Sequence, residues 1–453
     1  MAGPSPFRDL PPISSTVPAL AGLPVLGSLL AFRRDRLALH DEAARTGPIV
    51  RFNLGGLPLY TVTCADLAHE ILVEQAAAFK KTAGLRFLAP VLGDGLLSAE
   101  GAVHHRHRKL LAPAFAPRRI AAYAPVMVEE TRAQIARWAR GQRVDLAHEM
   151  MELTLAIAGR TLFGADVRHA ATTVGAALDL AMHSMMASIT SIVQLDERWP
   201  LPRHRAMRRA AAMLDEVVYA LIAAGRRAGV DRGDVLSMLL LARDEGDGTG
   251  LTDREVRDEV MTLLLAGHET TANALTWTFY ELGRHPEVRG RLEAEVADVL
   301  GDRAVTVEDL PRLPWTLAVL EEALRLHPPA YTTGREALYD VTIGGHRLAA
   351  RSILILYIRG IHRRADYFPA PLAFRPERML PAEKRARPRH HYLPFGAGPR
   401  VCIGGQFALL EGQLALATLV QHARIQPLVR HVVPEPLVTL RPRGGLPAIV
   451  GPR

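Results

Sequence analysis

Apolar residues recur at helical spacing along most of the chain, and the longest run begins at Thr252. Val260, Leu264, Leu275 and Leu282 follow a 3.6-residue repeat. Thr252 and Glu255 stand at the spacing of a capping box, in which hydroxyl and carboxylate satisfy free backbone N–H groups. Pro286 ends the run, because it lacks an N–H and crowds the preceding turn. The predicted helix, about 32 residues at 1.5 Å each, is roughly 48 Å long and crosses a whole domain. Shorter helices are predicted at Val103–Leu111, Ala124–Arg140, Asp145–Leu162, Met207–Ala228, Pro286–Leu300, Leu313–Leu326 and Gly404–His422. Ile49–Phe52 and Leu59–Thr63 flank Gly55–Gly56 and read as a hairpin. Val341–Ile343 and Ser352–Ile358, around Gly344–Gly345, read as a second. The expected architecture is mainly α with small β-sheets.

Composition narrows this picture only a little. The 453 residues are 49% hydrophobic and 23% charged, with no repeat and no linker-like stretch, so a single domain spanning 1–453 is expected, residues 1–15 being flexible. The net charge of +8 is spread along the chain and alone selects no partner. Cys64 and Cys402 are isolated, which argues against a disulfide framework and a zinc site on paired cysteines. A reduced, cytoplasmic protein is expected. Val17–Phe32 is apolar but short, and Pro18, Gly22, Pro24 and Gly27 interrupt it, so no membrane anchor is expected there. No basic segment of the secretory type precedes it.

Two segments carry unusual chemistry. Phe395-Gly396-Ala397-Gly398-Pro399-Arg400-Val401-Cys402-Ile403-Gly404 places a cysteine in a glycine-rich loop just before a helix. The helix N-terminus stabilises a thiolate, the metal-ligating form. Cys64, at an apolar strand end, reads as a packed residue instead. Ala266-Gly267-His268-Glu269-Thr270-Thr271 interrupts the long helix with polar residues. At about 100° per residue, Ala266, Glu269 and Thr270 share one sector, and Gly267 leaves space beside it. His268 points away and reads as a surface or packed histidine. The simplest role of the Thr270 hydroxyl is a bond to a carbonyl one turn earlier. Glu322 and Arg325 form an i,i+3 pair, and Phe374-Arg375-Pro376-Glu377-Arg378 reads as a polar loop.

Together, and in this order, the Cys402 loop, the Ala266–Thr271 hexapeptide, Glu322 with Arg325, and Pro376-Glu377-Arg378 resemble the hallmarks of the cytochrome P-450 superfamily, from about Pro18 to the C-terminus. The resemblance implies haem b (iron protoporphyrin IX) between the long helix and the Cys402 loop, with Cys402 as the iron ligand. It implies that Phe395 packs near the sulfur and that Ala266 lies over the ring. His104, Arg108, Arg335 and Arg400 would meet the propionates. Glu322, Arg325 and Arg378 would form a buried structural triad. Glu269 and Thr270 would handle protons for O2 activation. Met379 stands where the family often has an aromatic.

The resemblance further implies a monooxygenase that oxidises a hydrophobic small molecule (a terpenoid, steroid, fatty acid or macrocycle) in secondary metabolism. Two cysteines cannot supply the ligands of an iron–sulfur cluster, so electrons would come from NAD(P)H through a reductase and a separate ferredoxin or flavodoxin. That acidic partner would dock on a basic face bearing His105, Arg106, His107, Lys109 and Arg400, with both histidines solvated. A metal pair of His104 and His107 lacks a third ligand. The expected protein is a monomer, without nucleic acid or membrane anchor. Leu85–Leu97, Ala181–Leu195, the region of Ala266 and Tyr331–Gly334 would wall the pocket, Met182, Met185, Met186, Ile189 and Ile192 included. No basic clamp for a substrate carboxylate is evident. A peroxide-driven or non-oxygenase haem-thiolate enzyme and a haem-binding sensor remain alternatives; the intact Glu269–Thr270 pair favours O2 activation.

Overall fold

The computed structural model describes residues 16–191, 199–242 and 249–453. Expectations for residues 1–15, Ile192 and Leu195 therefore fall outside the described residues.

The long helix spans Asp253–Arg284 and carries the predicted capping box between Thr252 and Glu255. It is buried on nearly every side, as expected of a helix through the middle of a body rather than on its surface. Its interior hydroxyls are satisfied locally: Thr276 and Thr278 donate to the carbonyls of Ala272 and Ala274, both at 2.7 Å. Trp277 is fully buried and stacks on His327 with ring centroids 4.3 Å apart. Its indole N–H donates to the Leu440 carbonyl at 3.0 Å, tying the helix to the C-terminal segment. The helices Leu146–Leu162, Pro202–Ala228, Pro314–Leu326 and Gly405–His422 pack against this axis.

Predicted helices appear with small boundary shifts. The one predicted at Ala124–Arg140 stops at Ala136, before a turn at Gly141 with φ of +76°. Several helices of the described residues went unpredicted, the longest being Arg36–Thr46 and Ala171–Ile189, which lack a clear apolar stripe, the second being largely apolar or small on all its faces.

A five-stranded sheet flanks the helical body in the order Ile49–Leu54, Leu57–Val62, Ile353–Leu356, Thr333–Ala337, Phe79–Lys80. The first two strands form the predicted hairpin, with Ile49 opposite Val62 and Gly55 at φ of +61° in the turn. The second predicted hairpin is corrected. Val341–Ile343 pairs with His346–Leu348, while Ile353–Leu356 joins the large sheet, parallel to Leu57–Val62. The Gly344–Gly345 turn is so tight that it closes on the three residues that follow it, which frees the next apolar run for the core. Among the described residues, no helix is long and apolar enough to cross a membrane.

Candidate active site

The helix Gly405–His422 begins directly after Gly404, and the preceding loop is held against it. The Cys402 N–H donates to the Phe395 carbonyl at 2.9 Å, closing the loop on itself. Gly396 and Gly398 adopt φ of +72° and +69°, a region that favours glycine. A Cβ on Gly398 would stand 1.8 Å from the Leu72 carbonyl oxygen, so no side chain fits there. Phe395 packs over Gly405, where a Cβ would lie 3.3 Å from its ring. Cys402 is accessible from a cavity of about 610 Å³. Burial by the surrounding protein pushes its thiol pKa up, while the Gly404 N–H and the charges of Arg108 and Lys81 oppose that rise.

The long helix forms another wall of this cavity. Ala266 is exposed and Gly267 and Thr270 half-buried, although residues on both sides of them are buried. The stripe is accessible because it faces the cavity. The Thr270 hydroxyl donates to the Ala266 carbonyl at 2.9 Å, the local bond expected from sequence. Its oxygen still has lone pairs to offer on the cavity side. Glu269 is buried, accepts from Arg441 Nε at 2.8 Å and from the Thr439 hydroxyl, and also borders the cavity. Arg441 reaches onward to Asp179, whose side chain is 58% exposed. His268 is packed: its Nδ1 lies against the Leu264 carbonyl, away from the cavity.

One stretch of the rim is strongly cationic. His104, Arg108, Arg335 and Arg400 all border the cavity, joined by Lys81, which sequence patterning did not single out. Arg335 is buried and bonds to the Thr333 hydroxyl and the Gly334 carbonyl, at 3.2 and 2.8 Å. Burial, reinforced by Arg400, lowers its pKa to about 10. Lys81 is pushed down to about 7, first by burial and then by Arg335 and Arg400. His104 falls to about 4, first by burial and then by Arg400 and Arg108. Glu100 is the acid of this cluster, taking bonds from the Lys81 N–H and from Arg400 Nη2. Arg400 Nη1 is buried with no hydrogen-bond partner among the described residues. A cluster short of negative charge and holding an unused donor suits a ligand bearing carboxylates. With the accessible sulfur of Cys402 on the same cavity, these residues fit haem.

Behind the cysteine loop, Arg325 donates twice to Glu322 at 2.8 Å, both side chains being fully buried. Arg378 Nε stands 3.4 Å from Glu322, and the Arg375 N–H donates to the same carboxylate at 2.9 Å. Arg325 also binds the carbonyls of His362, Pro371 and Ala373. This arrangement fixes the segment that leads into the cysteine loop. Met379 is buried beside Phe368 and Ala318. Cys64 is half-buried, its sulfur 3.5 Å from Tyr367 Oη.

One expectation in this region is corrected. His105 is exposed, but His107 is buried, with Nδ1 2.7 Å from Glu259 and Nε2 3.6 Å from Glu255. His105 and His107 are two residues, about 200°, apart on the helix, so with His105 facing solvent His107 falls on the inner side.

The cavity walls follow the expected segments: Leu85–Leu97, Ala181 to Ile189, Ala266 and Tyr331–Gly334 all contribute. Phe32, Phe52 and the segment Leu437–Thr439 were not anticipated, because they reach the cavity from distant parts of the chain. Arg36 also borders it and bonds Met186 Sδ at 2.9 Å, so a cation is present where none was expected.

The family model described as Cytochrome P450 matches residues 17–445. Cyclooctatin synthase of Streptomyces melanosporofaciens is 37% identical over 437 residues, 96% of this chain and 94% of that protein. Cyclooctat-9-en-7-ol 5-monooxygenase of the same organism is 35% identical, with 97% and 96% covered. Pentalenene oxygenase of Streptomyces avermitilis is 32% identical, with 91% of each chain covered. Among solved structures, the haem domain of cytochrome P450DA superposes with a TM-score of 0.87 at 29% identity, covering 98% of this chain and 99% of that one.

Proposed function

The chain belongs to the cytochrome P450 family, and from that premise we propose that it oxygenates a terpenoid-type, largely hydrocarbon polycycle. It is a haem-dependent monooxygenase. The single observation that carries the finer reading is the cavity. Leu, Ile, Met and Phe side chains line it, and on the long helix it opens onto small residues, Ala266 and Gly267. Such a wall selects by shape and apolar area. Relatives named for pentalenene and cyclooctat-9-en-7-ol agree with a guest of this chemistry.

In this reading Cys402 ligates the iron of haem b through its thiolate, and Phe395 shields the sulfur. Arg108, Arg335, Arg400 and His104 hold the propionates, with Lys81 beside them. When bound, the haem supplies the iron centre at which O2 is reduced and one oxygen atom becomes available to the substrate. The Thr270 hydroxyl positions water on the cavity side of the long helix. Glu269, held in place by Arg441, passes protons from solvent to that water. The cavity's apolar walls exclude other water. Electrons derive from NAD(P)H and arrive through a separate acidic ferredoxin or flavodoxin. Support for that docking mode is the helix Gly101–Leu111, which presents Arg108 and Lys109 beside the cysteine loop; Arg108 donates to the Val401 carbonyl at 2.9 Å.

The test is a spectral titration of the ferric holoenzyme with polycyclic terpene hydrocarbons, their mono-alcohols, fatty acids and steroids, followed by turnover under isotopically labelled O2. The reading expects a high-spin shift with the terpene set and one labelled oxygen atom in the product. A shift confined to fatty acids or steroids would contradict the substrate class. Product oxygen derived from water or peroxide would contradict the reaction.

A further inference from the structure

We propose that Asp66, His390 and His391 form a binding site for a divalent transition metal of the Zn2+ or Cu2+ kind, outside the haem cavity and beside the segments that hold the Cys402 loop. Their donor atoms all lie within 4.8 Å of one another. His390 Nε2 is 2.9 Å from Asp66 Oδ1. Two ligands each about 2.0–2.2 Å from one zinc ion stand about 3.3–3.6 Å apart at a tetrahedral angle, so this pair needs to open by only about half an ångström to chelate. A metal ion would take the place of the proton the two groups now share.

The third ligand is held in advance. The His391 ring stacks on Tyr367 with centroids 3.9 Å apart. The Tyr367 hydroxyl is fixed in turn by the Ala65 N–H at 3.2 Å and by contact with Cys64 Sγ at 3.5 Å. His69 adds a third imidazole nearby, its ring 5.2 Å from that of His390, with Glu74 3.6 Å from His69. Two imidazoles and a carboxylate form a borderline donor set that favours Cu2+ and Zn2+ over Mg2+ or Ca2+. Asp66 is 73% exposed, so an ion has a path in and room for water as the remaining ligands.

The two halves of the site are far apart in sequence but both adjoin the cysteine loop. Asp66 lies in the short helix Ala65–His69, which runs on into Glu70–Glu74; there the Leu72 carbonyl backs Gly398. His390 and His391 lie in the turn Arg389–His391, and the Leu393 N–H just beyond is anchored on His362 at 2.8 Å. A bound ion would therefore cross-link the two supports of the loop.

The test titrates the haem-loaded protein with Zn2+ against a chromogenic chelator and records Cu2+ electron paramagnetic resonance at one equivalent. Wild type should take up one equivalent of Zn2+, and its Cu2+ signal should show couplings from two imidazole nitrogens. Asp66→Asn should weaken Zn2+ binding at least about tenfold, since outer-shell partners alone are worth that much. The double variant His390→Ala/His391→Ala should abolish binding and the nitrogen couplings. Asp66→Asn changes an exposed side chain, so it tests the site even if the double variant folds poorly. Zn2+ should also raise the thermal midpoint of wild type, and raise that of Asp66→Asn by less. Failure of wild type to bind one equivalent, or unchanged affinity in Asp66→Asn, would overturn the proposal.

Discussion

The Glu269 carboxylate accepts a 2.8 Å bond from Arg441 Nε, and Arg441 also holds Asp179 at the surface. The buried acid beside the cavity is thus one side chain away from a solvated one. Replacing Glu269 by Gln keeps its shape and its bond to Thr439 but removes the exchangeable proton. Turnover should fall about 10²-fold, the usual scale for a positioned acid–base group. The substrate-induced spin shift should persist. Thr270→Ala should instead leave electron uptake largely intact and divert it to hydrogen peroxide. Stopped-flow reduction and peroxide assays separate the two, and full coupling in Thr270→Ala would contradict its assignment.

Gly398 marks the tightest point of the cysteine loop. An alanine there meets the Leu72 carbonyl and an unfavourable φ of +69°. The conformational strain alone costs about 1–3 kcal/mol, and the loop must shift besides. Gly398→Ala should lower the thermal midpoint and weaken haem retention. Gly55→Ala sits at a similar φ with open space around it, so it should cost less. Thermal denaturation of both proteins checks the ordering.

Glu322 and Arg325 are fully buried and mutually bonded. Removing one partner strands the other charge, at a cost of about 3–5 kcal/mol. Glu322→Gln should give a protein that unfolds at lower denaturant and loses haem, with no selective change in pH profile or coupling. Normal stability with altered coupling would contradict a structural role.

His362 links pH to the same loop. Its Nε2 accepts the Leu393 N–H at 2.8 Å, so that nitrogen must be unprotonated. Burial, then the charge of Arg325, lowers its pKa to about 3. In the unfolded chain it binds a proton near pH 6.5, as free histidine does. Between about pH 6.5 and 3 the unfolded state therefore holds more protons, and stability falls as pH falls. Above about pH 6.5 the contribution is constant. Urea unfolding from pH 7 to 4.5 should show this loss, reduced in His362→Gln, whose amide can accept the same N–H.

Much of this was legible in the chain because local chemistry carries it. The Thr252–Glu255 capping box and Pro286 delimit the long helix, and the glycines around Cys402 announce a loop approached by another group. What sequence patterning missed is non-local. Arg441 meets Glu269 across 172 residues, and nothing near Arg441 signals it. Lys81 enters the cationic rim because the short strand just before it, Phe79–Lys80, pairs at the sheet edge with Thr333–Ala337. His107 was misread because a helix in a run of basic residues still has an inner side, and Glu259 waits there. The second hairpin failed because a two-residue glycine turn closed on the nearest strand rather than the longest.

The central claim is that the Cys402 sulfur is the iron ligand. The most direct measurement is the carbon monoxide difference spectrum of the dithionite-reduced protein. The account predicts the red-shifted Soret band of a thiolate-ligated haem in wild type. In Cys402→His it predicts a band typical of histidine ligation. A wild-type band of the histidine type, or an unchanged thiolate band in the variant, would contradict it.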